Sequence, residues 1–316
     1  MDFQPLFRRF EENIKLGHYD ESADLRQKRD RVITRLQENL SMKIDWFNQG
    51  SYAMRTGVKP LDGDYDIDIG IVLDIDKNQY DPVTVKGWIY KVVEKHTARV
   101  EWRRPCITVY YHQAGEAIYH VDLAILAKDR WGNMHLAIGK EHSAKEQREW
   151  QQDDRKGFIE VVGNRFSGED GAQFRRVIRY LKRWRDVHFA SEGRAAPTGL
   201  GLTVAAFHHF QPAKVNPYYY NHNADYDDLA ATVALVQAIR GRFSSAWDSS
   251  TRQYTQRIKL NFPRAPQDDV FERMTNQQMQ EFYQRLEKLA LWLDEARRIG
   301  STAPLRKAFG DDFPVQ

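Results

Sequence analysis

Between Gly50 and Val72 the chain reads GSYAMRTGVKPLDGDYDIDIGIV, and this segment limits what the rest can fold into more than any other. A strand alternates faces with a period of two. Asp66 and Asp68 therefore share one face, while Ile67, Ile69 and Ile71 enter the opposite layer. Two adjacent carboxylates repel each other, and an apolar strand gains nothing from them unless a cation lies between. Hard oxygen donors of this kind suit Mg²⁺, which takes a few carboxylates together with substrate phosphates. Upstream, Gly50 and Ser51 offer bare backbone amides and a hydroxyl, the donors that a triphosphate needs. A Gly-rich surface turn before an acidic edge strand would account for the charges but not for the Gly-Ser pair.

A third carboxylate extends the set. Residues 106–111 (CITVYY) and 118–126 (IYHVDLAIL) read as two strands joined by the polar turn Gln113-Ala114-Gly115-Glu116. Asp122 is the only acid in the second run, and a buried carboxylate requires a cation or a donor. Two arrangements meet that need. Asp122 pairs locally with His120 or an arginine, or its strand lies beside the first and Asp66, Asp68 and Asp122 converge on one point. The Asp pair already present favours convergence. One carboxylate could then bridge two metal ions, and Asp122 could receive the proton of an attacking hydroxyl.

Punctuation and periodicity organise the remainder. Leu25, Val32, Leu36 and Leu40 mark an amphipathic helix over 22–40. Asp81-Pro82 caps a helix running to about His96, with Trp88, Ile89, Val92 and Val93 inward. Strands at about 99–111 and 117–126 complete a small mixed sheet. The charged, Gly-punctuated stretch 140–172 reads as the crossing into a second lobe, with helices near 173–188, 198–210 and 225–243. A strand-like RIKLNF follows at 257–262, then a long helix from about 276 to 298 begun by the capping-box pair Thr275 and Gln278. Its stripe of Met279, Phe282, Leu286, Leu289 and Leu293 reads as core packing.

The helix at 173–188 gathers Phe174, Val177, Ile178, Leu181 and Trp184 on one side and Arg175, Arg176, Arg179, Lys182 and Arg183 on the other. Such a basic face is usually a solvated one. The only acid on this arc is Asp186, which could pair with Lys182 at i,i+4; otherwise the charges repel one another unless an anion neutralises them.

With 316 residues the chain can form a large core or two lobes around a cleft. A single cysteine, Cys106, excludes a disulfide framework and fits a reducing compartment. MDFQPLFRRFEENI has early acids and no long apolar stretch, so neither a signal peptide nor a membrane anchor is expected there. A net charge of +3 is low for a protein that coats nucleic acid. His208 and His209, adjacent on a helix, face about 100° apart and cannot share an ion. His142, His188 and His222 lack Cys partners at zinc spacing. Tyr218, Tyr219 and Tyr220 could stack a base, with loop packing the stronger reading.

Taken together, QGSYAMRTGV, DYDIDIGIVL and VDLAIL resemble the nucleotidyltransferase superfamily of DNA polymerase β, the poly(A) polymerases and the 2′–5′ oligoadenylate synthetases. FRRVIRYLKRWRD, PTGLGLTVAAF and NFPRAPQDDVFERMTNQQMQEFYQRL extend the resemblance over nearly the whole chain. They point to the bacterial branch related to cyclic GMP–AMP synthase, the CD-NTases of anti-phage defence operons. The resemblance implies an α+β fold, with a polymerase β-like nucleotidyltransferase lobe at 1–145, a helical lobe at 146–316 and the active site in the cleft. It implies that Asp66, Asp68 and Asp122 hold two Mg²⁺ ions, for which Mn²⁺ can substitute, and that Gly50 and Ser51 hold the β- and γ-phosphates. Lys182 becomes the lysine that reaches the donor triphosphate, Arg179 a second phosphate contact one turn earlier, and Thr198 the hydroxyl that lines the nucleotide. No base stacking is assigned there, since Gly199 and Leu200 stand where an aromatic is usual.

The implied reaction is nucleotidyl transfer between NTPs, ATP among them, to a cyclic di- or trinucleotide that an effector senses in the cytoplasm. Neither a membrane nor polymeric nucleic acid is required. A template-independent transferase acting on RNA or protein hydroxyls, a non-catalytic nucleotide sensor, and an interaction protein with incidental acids are the alternatives.

Overall fold

The seven-stranded mixed sheet at the centre of the first lobe follows from its apolar alternation. In the computed structural model, which describes residues 1–16, 20–112, 118–189, 196–215, 225–249 and 251–315, helices α1 (Gln4–Ile14) and α2 (Asp20–Asn39) come first. Then come β1 (Ile44–Asn48), α3 (Gly50–Ala53), β2 (Asp64–Asp76), α4 (Pro82–Val93), β3 (Arg99–Trp102), β4 (Ile107–Tyr111), β5 (Ile118–Lys128), β6 (Met134–Ile138) and β7 (Glu149–Gln152). The strands run in the order β1-β2-β5-β4-β3, and the far half of β5 continues into β6 and β7. Only the β2–β5 pairing is parallel. One face of the sheet presents Ile67, Ile69, Ile71, Val121, Leu123 and Ile125, all buried against α2 and α4. The helix α4 is capped as its sequence predicts, with Asp81 accepting from the amides of Val83 and Thr84. The turn 113–116, the cluster 218–220 and His222 lie outside the described residues.

The helical lobe comprises α5 (Arg155–Gly163), α6 (Gly168–His188), α7 (Gly199–His209), α8 (Asp228–Arg240), α9 (Asn276–Ile299) and α10 (Ala303–Phe309). Two short ribbons accompany them, β8 (Lys214–Val215) with β9 (Asp225–Tyr226), and β10 (Ser244–Asp248) with β11 (Gln253–Arg257). The capping box of Thr275 and Gln278 starts α9, and Gly300 ends it in the left-handed conformation at φ 64°. The stripe of Met279, Phe282, Leu286, Leu289 and Leu293 is core.

Three expectations are corrected. The contiguous boundary at 145 fails at the N-terminus, because α1 belongs to the helical lobe. Its Phe3, Phe7, Phe10 and Ile14 join that core, where Phe7 and Phe10 pack on Tyr180, Phe309 and Phe313. RIKLNF is not a strand through 262. The ladder with β10 ends at Arg257; Ile258 and Leu260 turn into the core, and Asn261 forms an isolated antiparallel bridge with Asp269. The crossing at 140–172 contains β7, a sheet strand read from sequence as charged linker.

Candidate active site

The polar face of the sheet is the floor of a cavity of about 1070 Å³ between the lobes, at the upper end of the range for small-molecule sites. Strand β2 brings Asp66 and Asp68 to it. In the parallel register of β5, Asp68 stands level with Asp122 and Asp66 level with His120. On the next strand Thr108 is level with Asp122, and its hydroxyl donates to Asp122 Oδ1 at 2.6 Å. His120 is engaged elsewhere, with Nδ1 2.9 Å from Asp64 Oδ1. Of the two arrangements open to Asp122, the strands are adjacent and the three aspartates share a face. The partner of Asp122 is a hydroxyl that sequence reading did not single out.

The turn carrying Gly50 and Ser51 lies directly against these acids. The backbone amide of Gln49 donates to Asp68 O at 2.8 Å. Gly50 has φ 61°, and a Cβ there would overlap the Asp68 carboxylate, 2.9 Å from its Cγ and closer still to Oδ2. Glycine is required at this position for both reasons. Gly50, Ser51, Asp66 and Asp68 all border the cavity.

Among the described residues no cation forms an ion pair with either carboxylate of the pair. Asp66 is ringed by protein at the cleft floor although solvent reaches its carboxylate. Desolvation raises it above the usual carboxylate range, with His120 opposing and Asp122 adding to the shift. Asp68 is pushed up to about 7 by desolvation, then by the charges of Asp66 and Asp122. An unneutralised carboxylate pair against open amides fits a hard divalent cation. As the side chains stand, no three His, Cys, Asp or Glu groups among the described residues close around a single point. In this arrangement Asp122 is turned toward Thr108.

Lys182 reaches the same cavity from α6. Its ammonium donates to Thr56 O at 2.9 Å and Thr56 Oγ1 at 3.0 Å. Burial, then the charges of Arg185 and Arg179, lower it to about 7. Asp186, the expected rival partner, pairs with Arg185 instead. Thr198 lines the cavity and caps α7, its Oγ1 accepting from Gly201 N at 3.0 Å.

Arg179 is a correction. It does not border the cavity; buried in the lobe, it pairs with Glu11 and donates to the carbonyl of Arg55. Two further arginines of the basic arc are likewise neither solvated nor waiting for an anion. Arg176 pairs with Asp228 at 2.7 Å and Arg183 with Asp312 at 3.1 Å, so acids from other elements neutralise them. Sequence reading also missed Gln49 and Arg155, which border the cavity and are hydrogen-bonded to each other at 3.1 Å.

Residues 44–126 match the family model for the cyclic GMP-AMP synthase DncV-like nucleotidyltransferase domain, a span that holds Gly50, Ser51 and all three aspartates. Solved structures resemble the whole chain. CdnG of Bradyrhizobium diazoefficiens, a CD-NTase solved with GTP, is 16% identical with a TM-score of 0.74, covering 98% of this chain and 96% of its own. The cyclic AMP-GMP synthase DncV of Vibrio cholerae, solved with the linear intermediate pppA(3′,5′)pG, is 15% identical with a TM-score of 0.68 over 99% and 97% of the two chains. CdnC of E. coli MS115-1, solved with ATP, is 15% identical with a TM-score of 0.66 over 99% of each. Identities this low speak to the fold. The matched span itself is a DncV-like nucleotidyltransferase domain. The fold of the whole chain is that of the CD-NTases.

Proposed function

We propose that the protein joins NTPs into a cyclic di- or trinucleotide, ATP serving as one substrate, and that an effector senses the product in the cytoplasm as part of anti-phage defence. The observation that carries this reading is the carboxylate of Asp68 pressed against the Gly50–Ser51 turn, with Asp66 on the same strand face and Asp122 in register beside Asp68. Asp66, Asp68 and Asp122 would hold two Mg²⁺ ions, with Mn²⁺ able to substitute, and the metal when bound neutralises the triphosphate and lowers the pKa of a hydroxyl. The amides of the turn and the Ser51 hydroxyl bind the β- and γ-phosphates of the donor. Lys182 leaves Thr56 to meet the same triphosphate, and Thr198 lines the nucleotide. Asp122, which Thr108 hydrogen-bonds, would take the proton as the acceptor ribose oxygen attacks the α-phosphate and pyrophosphate departs. Positioning and charge neutralisation supply most of the acceleration in phosphoryl transfer, so no nucleophilic side chain is needed. A second transfer on the linear product closes the ring.

Incubation with mixed NTPs and Mg²⁺ or Mn²⁺, followed by mass spectrometry, tests the reading. Small cyclic products are expected. Extended polymer would indicate a transferase acting on other hydroxyls, and tight NTP binding without turnover a sensor.

A further inference from the structure

Arg155, the first residue of α5, stands at the same cavity with no role yet in the chemistry. Its Nε pairs with Asp153 Oδ2 at 2.6 Å, and one Nη1 N–H donates to Gln49 Oε1 at 3.1 Å. These contacts engage Nε and one Nη1 hydrogen, leaving three of the five guanidinium N–H donors without a partner among the described residues. The side chain is 40% exposed. Gln49, from which it hangs, is buried, bonds the backbone of Asp68 and precedes Gly50. The guanidinium is thus fixed by two contacts, one to Asp153 and one to Gln49 at the hinge between Asp68 and the phosphate-binding turn. Among the cations acting on Asp68, Arg155 contributes most.

The other cations bordering the cavity are committed. Lys182 is turned to Thr56, Arg185 is paired with Asp186, and Arg264 is tied to Asp154 at 2.7 Å. Joining two nucleotides brings a second triphosphate into a cavity whose floor carries Asp62, Asp64, Asp66 and Asp68. That anion needs its own cation, since Gly50, Ser51 and Lys182 serve the donor. A planar fork with free N–H groups is the side chain best matched to phosphate. We propose, resting on the nucleotidyl-transfer reading above, that Arg155 binds the 5′-phosphates of the acceptor nucleotide.

The test pairs a saturating donor NTP with two acceptors. One is an α,β-methylene NTP, which can accept but cannot release pyrophosphate; the other is the same nucleoside with a free 5′-hydroxyl. Arg155→Gln should raise KM for the phosphorylated acceptor roughly tenfold to a hundredfold, the loss expected for a charge-assisted hydrogen bond. It should leave KM for the nucleoside unchanged, and Arg155→Lys should fall between. Melting temperatures of both variants guard against a folding effect, and Arg155→Lys carries the test if Arg155→Gln does not fold. Equal losses with both acceptors would make Arg155 a structural tie for Gln49, and a raised KM for the donor would move its contact to the other nucleotide; either result overturns the proposal. If the wild type transfers to neither acceptor, the nucleotidyl-transfer reading falls and this one with it.

Discussion

Gly50→Ala separates the geometry of the site from the stability of the fold. Two costs are built into the position. The φ of 61° puts an L-residue in the left-handed region, at roughly 1–2 kcal/mol. The added Cβ would also overlap the Asp68 carboxylate, 2.9 Å from its Cγ, so Asp68 or the turn must shift. A reacting group displaced by about 1 Å costs on the order of a hundredfold in rate. Gly132→Ala supplies the control, because Gly132 has φ 85° and a Cβ added there would meet nothing within 4 Å. It incurs the backbone cost alone.

Both variants should lose a few degrees of melting temperature, and only Gly50→Ala should lose turnover, by about a hundredfold at equal folded protein. Calorimetry and product formation by chromatography measure the two effects separately. Wild-type turnover in Gly50→Ala would refute the reasoning, because it would mean that Asp68 need not stand where this turn places it. Equal losses of turnover in both variants would trace the effect to backbone strain and not to the carboxylate.

Three further outcomes follow from the contacts. Arg179→Ala leaves Glu11 buried without its partner, which should cost about 3–5 kcal/mol of stability, read by denaturant unfolding. Asp122→Asn should bind an NTP as the wild type does, by calorimetric titration, yet lose turnover by orders of magnitude; a change confined to KM would make Asp122 a binding residue. Lys182 is lowered to about 7 in the folded protein from an ordinary 10.5, so the unfolded chain binds more protons between those values and this residue's contribution to stability rises with pH across that window. Removing it in Lys182→Met should therefore shift the melting difference in favour of the variant as pH falls from about 9 to 6, while weakening NTP binding at every pH.

What sequence made legible was local or periodic. The shared face of Asp66 and Asp68 follows from strand period, the start of α4 from Asp81-Pro82, and the start of α9 from Thr275 and Gln278. Adjacency of β2 and β5 is one of two arrangements that meet the need of Asp122, favoured by the Asp pair, and the parallel register puts that residue level with Asp68. Contacts between distant residues were not legible. Arg176, Arg179 and Arg183 have the composition of a solvated helix face, and nothing near them in sequence shows that Asp228, Glu11 and Asp312 arrive to neutralise them. Arg179 and Lys182 lie one turn apart and carry the same charge, yet one ends in the lobe interior and the other at the cavity. Thr108 was hidden for a similar reason, since a threonine in an apolar strand signals nothing until the register of β4 against β5 is known.

The buried cations of α6 also explain how the helical lobe governs a site whose acids all come from the sheet. Arg179 donates to the carbonyl of Arg55, Lys182 to that of Thr56, and Arg183 to that of Lys59 at 2.8 Å. These carbonyls belong to the segment that leaves the Gly50–Ser51 turn, and Thr56 N returns a bond to Ser51 O at 2.9 Å. Arg55 is held at φ 56°, a left-handed conformation that costs roughly 1–2 kcal/mol for a residue with a Cβ and persists only when its surroundings fix it. From the other side, Leu16 N donates to Gly57 O at 3.2 Å and Lys59 N to Ile14 O at 2.8 Å, so the end of α1 grips the same stretch. The placement of α1 in the helical lobe then has a functional meaning: both supports of the turn are anchored in one core, opposite the strand that carries Asp66 and Asp68. If Lys182 exchanges Thr56 for a triphosphate, one of the three α6 contacts is released while Arg179 and Arg183 keep the segment in place, so the donor can be gripped without loss of the turn that receives it.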